Sequence, residues 1–111
     1  MSTIARRRST TFTGFNFSDT VKTAVWNKAR TISGQDSRFW RVDACGAYMY
    51  WPNYGETVEG KFGWEIDHIN PVAHGGTDDI TNIQALQWQN NRAKSDSVGV
   101  NYCVISYGGG S

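Results

Sequence analysis

The residues whose side chains could take part in catalysis or metal binding lie close together between positions 64 and 96, in the sequence WEIDHINPVAHGGTDDITNIQALQWQNNRAKSD. Asp67 and His68 are adjacent, Asn82 follows, and Asn91 comes nine residues after Asn82. A neutral imidazole, with an ordinary pKa of about 6.5, can accept a proton near neutral pH. Carboxylate and amide oxygens suit hard divalent cations such as Mg²⁺. These residue types therefore fit general-base and divalent-metal chemistry.

Two strands and a helix are predicted to position these side chains. Trp64–Ile69 has the pattern of a strand that ends before Asn70-Pro71, because proline cannot donate a ladder hydrogen bond. Ile83–Leu86 fits a second strand, and Trp88–Lys94 has the composition of a short helix. The loop between the strands contains Gly75-Gly76, which permits a tight, exposed turn.

Several side chains of this unit have predicted positions. Asn82 is expected to hold the loop through hydrogen bonds to its backbone. Asn91 and Lys94 share a helix face at positions i and i+3, and we expect that face to meet Asp67. Glu65, on the same strand face as Asp67, is either a second carboxylate of the site or an ordinary exposed strand residue.

The ordered set is similar to the motif of the HNH endonuclease family. The resemblance implies a ββα-metal fold, so we predict an α+β domain with this core, an N-terminal helix and a satellite β-hairpin. It covers about a third of the chain and rests on Asp67-His68-Ile69, Pro71, Gly75-Gly76, Asn82, Leu86, Asn91 and Lys94.

The resemblance also implies roles for individual residues. Asp67 and Asn91 would be oxygen ligands of one divalent cation, Mg²⁺ or Mn²⁺, and His68 would be the general base that activates water. Asn82 would support catalysis by holding the loop. The implied reaction is hydrolysis of phosphodiester bonds in DNA, leaving a 5′-phosphate, with RNA left open as a substrate.

One departure from the family pattern concerns a structural metal. Many members carry cysteines around the helix start that bind zinc, whereas Gln87 and Asn90 occupy those positions here. No structural zinc is therefore expected. Packing is expected to replace the missing cross-link, and the candidate core residues are Trp64, Ile66, Ile83, Leu86 and Trp88.

The remaining chain is predicted to support this unit within one domain, residues 17–107. Residues 1–16 have the composition of a basic flexible arm, and residues 108–111 of a flexible glycine-rich tail. Ser18 can cap a helix over Asp19–Ile32, although Lys28 interrupts its apolar stripe. A satellite hairpin is predicted around Gly46, and Tyr102–Tyr107 fits an edge strand.

The charge distribution predicts a polyanionic partner. The chain has a net charge of +1, yet eight Lys/Arg and two Asp/Glu precede position 42, against three and eight after it. The predicted phosphate contacts are Arg6, Arg7, Arg8, Arg92 and Lys94. His74 either contacts a phosphate or occupies an exposed turn.

Cys45 and Cys103 do not form a CxxC pair, so two reduced, buried thiols are favoured over a bridge. The chain lacks an apolar span or signal core, which predicts a soluble cytoplasmic protein without a membrane partner, a monomer or a homodimer. Two alternatives to the nuclease are a non-cleaving DNA-binding module that keeps the fold and a nuclease toxin.

Overall fold

The computed structural model describes residues 7–96 and 101–107, which form an α+β fold with two helices and two small antiparallel sheets. Among these residues, no helix is long and apolar enough to cross a membrane. The predicted α+β fold class is therefore confirmed. The helices are α1 (Asp19–Lys28) and α2 (Trp88–Lys94), and the strands are β1 (Arg30–Thr31), β2 (Trp40–Val42), β3 (Tyr48–Tyr50), β4 (Trp64–His68) and β5 (Ile83–Gln87).

Helix α1 begins where the sequence predicts and ends early. The Ser18 hydroxyl accepts a hydrogen bond from the Val21 amide at 3.2 Å and caps the first turn. The predicted end at Ile32 is wrong, because Ala29 has an extended backbone and Arg30–Thr31 then pairs with β2. Strand pairing in the neighbouring sheet therefore overrides the helical pattern.

Lys28, in the last turn of α1, holds the end of the loop between β4 and β5. Its ammonium donates to the backbone carbonyl of Ile80, and to that of Ile83 at 2.6 Å. Desolvation by burial lowers the pKa of Lys28. The lysine that interrupts the apolar stripe thus joins α1 to the loop.

The satellite element is a three-stranded sheet rather than a two-stranded hairpin. Strands β2 and β3 pair around the turn at Gly46, whose φ of +82° favours glycine. Strand β1 adds to the other side of β2, with the order β1-β2-β3. The predicted hairpin is therefore confirmed, and one additional strand extends it.

The second sheet and α2 form the predicted strand, loop, strand and helix unit. Strands β4 and β5 pair antiparallel, and Asp67 lies opposite Gln84 in the register. The Gln87 side chain caps α2 by accepting hydrogen bonds from the amides of Gln89 and Asn90. Helix α2 follows β5 directly, so the strand and the helix position their side chains relative to each other.

The core lies between α1 and the β4–β5 sheet. Trp64, Ile66, Ile83 and Leu86 are each at most 1% exposed, as predicted, whereas Trp88 is only half-buried. Trp26 and Trp51 also pack in this core. Trp26 is 3% exposed, and its ring centroid lies 5.0 Å from that of Trp64 and 5.5 Å from that of Trp51.

Cys45 and Cys103 form a disulfide across 58 residues, so the expectation of two reduced thiols is wrong. Spacing in the sequence does not show that two distant cysteines meet. The segment after Cys103 is not an edge strand either. Ile105 is buried there, and its amide and carbonyl both hydrogen-bond with the Asn90 side chain at 2.8 Å.

Candidate active site

A cavity of about 320 Å³ opens along the edge of β4 that faces away from β5. Because it lies at a strand edge, side chains from both faces of β4 reach it. Ile66, Asp67 and His68 line it from the strand, and Asn91 lines it from α2. The cavity brings together three of the predicted site residues, Asp67, His68 and Asn91.

The Asp67 carboxylate is buried, with 6% of the residue exposed. Its Oδ2 accepts a hydrogen bond from Gln84 Nε2 at 3.0 Å, and its Oδ1 lies 3.3 Å from the Lys94 ammonium. Burial raises the pKa of Asp67, while the hydrogen bond from Gln84 and the charge of Lys94 act in the opposite direction. A cation entering the cavity would favour the charged carboxylate.

The His68 imidazole is 3% exposed and is held from one side by a carboxylate. Its Nε2 lies 2.7 Å from Oδ1 of Asp78, and its ring centroid lies 5.9 Å from that of Phe17. Asp78 belongs to the loop between β4 and β5 and was not among the predicted site residues. Its position in a Thr-Asp-Asp run carries no signal that distinguishes it from an exposed loop residue.

Asn91 reaches the cavity from the first turns of α2 and contacts a second carboxylate. Its Nδ2 donates to Oε1 of Glu65 at 2.9 Å, and both residues are buried. Glu65 is 7% exposed, so its interpretation as an exposed strand residue is wrong. The hydrogen bond uses the amide nitrogen of Asn91, which orients the amide group without using its oxygen.

Of the two basic residues predicted as phosphate contacts on α2, Lys94 is buried and Arg92 is exposed. Lys94 is 2% exposed, and its ammonium donates to the His68 carbonyl at 2.9 Å besides pairing with Asp67. The prediction of Lys94 as a phosphate contact is therefore wrong, because its ammonium is buried and pairs with Asp67 inside the domain. Arg92 is exposed, and its guanidinium stacks 4.9 Å from the Trp88 ring centroid.

Asn82 forms hydrogen bonds across the loop between β4 and β5. Its Oδ1 accepts from the Asn70 amide at 2.9 Å, and its Nδ2 donates to the carbonyls of Asn70 and Thr77 at 3.2 and 2.7 Å. Gly76 is also required, because a Cβ there would lie 1.7 Å from the Asn70 carbonyl oxygen. His74 is exposed in this loop.

A buried hydrogen-bond network surrounds Gln87 and Asn90, at the start of α2. Asp43 Oδ2 accepts from the Gln87 amide at 2.9 Å and from Asn90 Nδ2 at 3.0 Å. Its Oδ1 accepts from the amides of Cys45 and Ala47, both at 2.9 Å. Besides the expected packing, a carboxylate therefore joins the β2–β3 turn to the start of α2.

The sequence offered no signal for the role of Asp43. It lies 44 positions before Gln87, and nothing in its neighbours distinguishes it from a turn residue. The network also separates the two asparagines of α2. Asn90 is fully buried and bonded to Asp43 and Ile105, whereas Asn91 faces the cavity.

The basic N-terminal segment passes beside the cavity. Arg7 and Arg8 line it together with Ser9, whose hydroxyl accepts a hydrogen bond from the Ile66 amide at 2.7 Å. Residues 7–16, expected as a flexible arm, include the buried Thr10 and a bridge between Thr10 and Asn16. Arg6, a predicted phosphate contact, lies outside the described residues, as does the tail at 108–111.

The donor set of the cavity fits a hard divalent cation. Within residues 7–96 and 101–107, no group of three or more His, Cys, Asp or Glu side chains could hold a metal ion. Asp67 would supply a carboxylate, whose two oxygens also contact Gln84 and Lys94, and Asn91 would supply an amide oxygen; both are ligand types that Mg²⁺ binds. Mg²⁺ commonly keeps several waters as further ligands.

Comparison with known proteins identifies the central part of the chain. Residues 55–97 match the family model for the HNH endonuclease. The match contains β4, the loop, β5 and α2, and it includes Asp67, His68 and Asn91. No curated protein and no solved structure matches the chain.

Proposed function

We propose that this protein is a metal-dependent endonuclease that hydrolyses phosphodiester bonds in DNA, and the match of residues 55–97 to the HNH endonuclease family model supports this proposal. The observation that carries the proposal is the cavity beside β4, where a buried imidazole, a desolvated carboxylate and an asparagine amide meet. Such a set matches the needs of hydrolysis, which are a proton acceptor for water and charge stabilisation at the phosphate.

His68 is the proposed general base. It takes a proton from the attacking water, whose oxygen forms the bond to phosphorus as the bond to the leaving oxygen breaks. Its position supports this role, because His68 lines the cavity and Asp78 fixes its ring through Nε2.

Asp67 and Asn91 are the proposed holders of the cation, Mg²⁺ or Mn²⁺. When bound there, the cation supplies positive charge that offsets the negative charge accumulating on the phosphate and the leaving oxygen. Neighbouring side chains orient the two proposed ligands. Gln84 fixes one Asp67 oxygen, and Glu65 orients the Asn91 amide.

Arg7 and Arg8 are the proposed phosphate contacts, since both are exposed at the rim of the cavity. Arg92 is a further candidate because its guanidinium is exposed on α2, and Arg6 extends the same basic run. Together these residues would hold the DNA backbone without reading its sequence.

The disulfide favours a second candidate, a nuclease that works outside the cytoplasm, such as a toxin. Disulfides persist in oxidising compartments and are rare in the cytosol. The bridge between Cys45 and Cys103 therefore weighs against the cytoplasmic location expected from the sequence. A non-cleaving DNA-binding module is less favoured, because the proposed base and ligands are all present at one cavity.

Metal removal tests the function. Purified protein is expected to nick supercoiled plasmid DNA in Mg²⁺ or Mn²⁺, and a chelator is expected to stop the reaction until the metal is restored. One site per chain cuts one strand at a time, so open-circular product should accumulate before linear product. DNA ligase should reseal these nicks, because the proposed product has a 5′-phosphate. Binding of DNA without any cleavage in either metal would contradict the proposal.

The basic segment gives a second prediction. The double variant Arg7→Ala/Arg8→Ala is expected to bind DNA more weakly. The slope of log affinity against log salt should flatten by about one to two, because each arginine that no longer neutralises a phosphate leaves about one counterion on the DNA. Fluorescence anisotropy over a salt series measures this slope.

Arg38→Ala is the matched control for these arginines, since Arg38 is exposed but pairs with Asp36 away from the cavity. Its salt slope should equal that of the unmodified protein. An unchanged slope in the double variant would show that Arg7 and Arg8 do not contact phosphates.

A further inference from the structure

We propose that Asp78 is a positioning residue for the general base, and that the N-terminal turn at residues 10–16 holds Asp78 in place. The inference rests on the proposed nuclease function and assigns a role to a residue outside the predicted site. Asp78 acts through His68, whose tautomer and orientation it fixes.

The contact between the two side chains carries the first step. His68 Nε2 lies 2.7 Å from Asp78 Oδ1, a short hydrogen bond to an imidazole that is 3% exposed. An ionised carboxylate can only accept hydrogen bonds, so a neutral imidazole bonded to it carries its proton on Nε2. The lone pair then lies on Nδ1, which becomes the atom that takes the proton of the attacking water.

The negative charge of Asp78 also stabilises the protonated form of His68. Proton transfer converts His68 to an imidazolium while the water oxygen bonds to phosphorus, and the bond from phosphorus to the 3′-oxygen breaks. The 3′-oxygen keeps the electron pair of that bond and takes a proton from solvent water. A carboxylate in contact with Nε2–H stabilises that imidazolium. The same hydrogen bond therefore orients the base before proton transfer and favours its charged form afterwards.

The third step concerns what holds Asp78 itself. The Phe12 amide donates to both carboxylate oxygens, at 3.0 Å to Oδ1 and 3.2 Å to Oδ2, across 66 residues. Phe12 belongs to a tight turn in which the Thr11 amide donates to the Phe15 carbonyl at 2.7 Å. On the other side, Asn82 fixes the loop through the Thr77 carbonyl, next to Asp78.

The N-terminal segment thus contacts the site in two places. Arg7 and Arg8 lie at the cavity, and Phe12 secures the carboxylate that holds the base. A purely structural alternative is that Asp78 only attaches the N-terminal turn to the loop. The two roles differ in what they predict for the His68 ring.

The test compares Asp78→Asn with Asp79→Asn, the same chemical change at the neighbouring exposed residue. An amide does not impose one tautomer, because it can donate or accept. Asp78→Asn is expected to lower the single-turnover cleavage rate about 10- to 100-fold with little change in DNA affinity. Asp79→Asn should match the unmodified protein in both measurements.

Imidazole ¹⁵N NMR gives a readout that a structural role would not move. The chain has only His68 and His74, and His74→Gln assigns their signals. In the neutral form of its ring, His68 should be protonated on Nε2 in the unmodified protein. In Asp78→Asn the Nδ1-protonated form should appear.

Each outcome decides the proposal. A normal cleavage rate in Asp78→Asn overturns it, and so does a slow rate with an unchanged His68 tautomer. If the variant fails to fold, the spectrum of the unmodified protein still decides, because protonation on Nδ1 would overturn the assignment. A protein that never cleaves DNA but shows the expected tautomers would refute the proposed function and leave the His68–Asp78 arrangement intact.

Discussion

His68→Ala is expected to lower the rate of DNA cleavage by a factor of about 10² to 10⁴, the usual contribution of a general base. The imidazole is buried at the cavity, and Asp78 holds it at 2.7 Å. DNA affinity should change little, because the proposed phosphate contacts lie on Arg7 and Arg8. Single-turnover nicking of plasmid and DNA binding by anisotropy measure the two effects separately.

His74→Ala is the matched control for this substitution, since His74 is the other imidazole of the chain and is exposed in the loop. It should retain nearly full cleavage activity. Undiminished cleavage by His68→Ala would sink the proposed mechanism. Equal losses in both variants would point to a general effect on the loop rather than to loss of a base.

Asp43→Ala is expected to destabilise the fold by at least about 3 kcal/mol. Asp43 is 3% exposed, and its carboxylate accepts four hydrogen bonds from buried or half-buried donors. Each donor left without a partner costs about 1–3 kcal/mol. Domains of this size have about 5–15 kcal/mol of stability, so the loss would remove much of it.

Urea unfolding followed by tryptophan fluorescence measures this loss, with Trp26 and Trp64 as buried reporters. Asp36→Ala is the control, because Asp36 is exposed and pairs with Arg38 at the surface. The control should unfold at nearly the same urea concentration as the unmodified protein, because a surface ion pair contributes little to stability. A similarly small loss in Asp43→Ala would mean that the network contributes little and that packing alone holds α2.

The sequence predicts those features that depend on local order. The residues from Trp64 to Lys94 form the expected strands, loop and helix, because their pattern, turn residues and core positions agree with one another. The loop hydrogen bonds of Asn82 follow from the same short range, since its partners at Asn70 and Thr77 lie within 12 residues.

The features that the sequence does not predict depend on distant parts of the chain. Asp43 meets Gln87 across 44 residues, and Asp78 meets Phe12 across 66 residues. Side-chain types in a turn do not reveal such partners. Burial is similarly hidden, since Lys94 has the position of a solvated helix end and is instead enclosed by Asp67 and the His68 carbonyl.

The disulfide has a topological consequence for the candidate site. Because it joins positions 45 and 103, the whole family match at residues 55–97 lies inside a covalent ring. A ring of that length has fewer unfolded conformations than an open chain, and in the chain-entropy model this stabilises the native state by about 4 kcal/mol. The ring also means that a single backbone cut in the loop between β4 and β5 would leave His68 and Asn91 on one connected molecule.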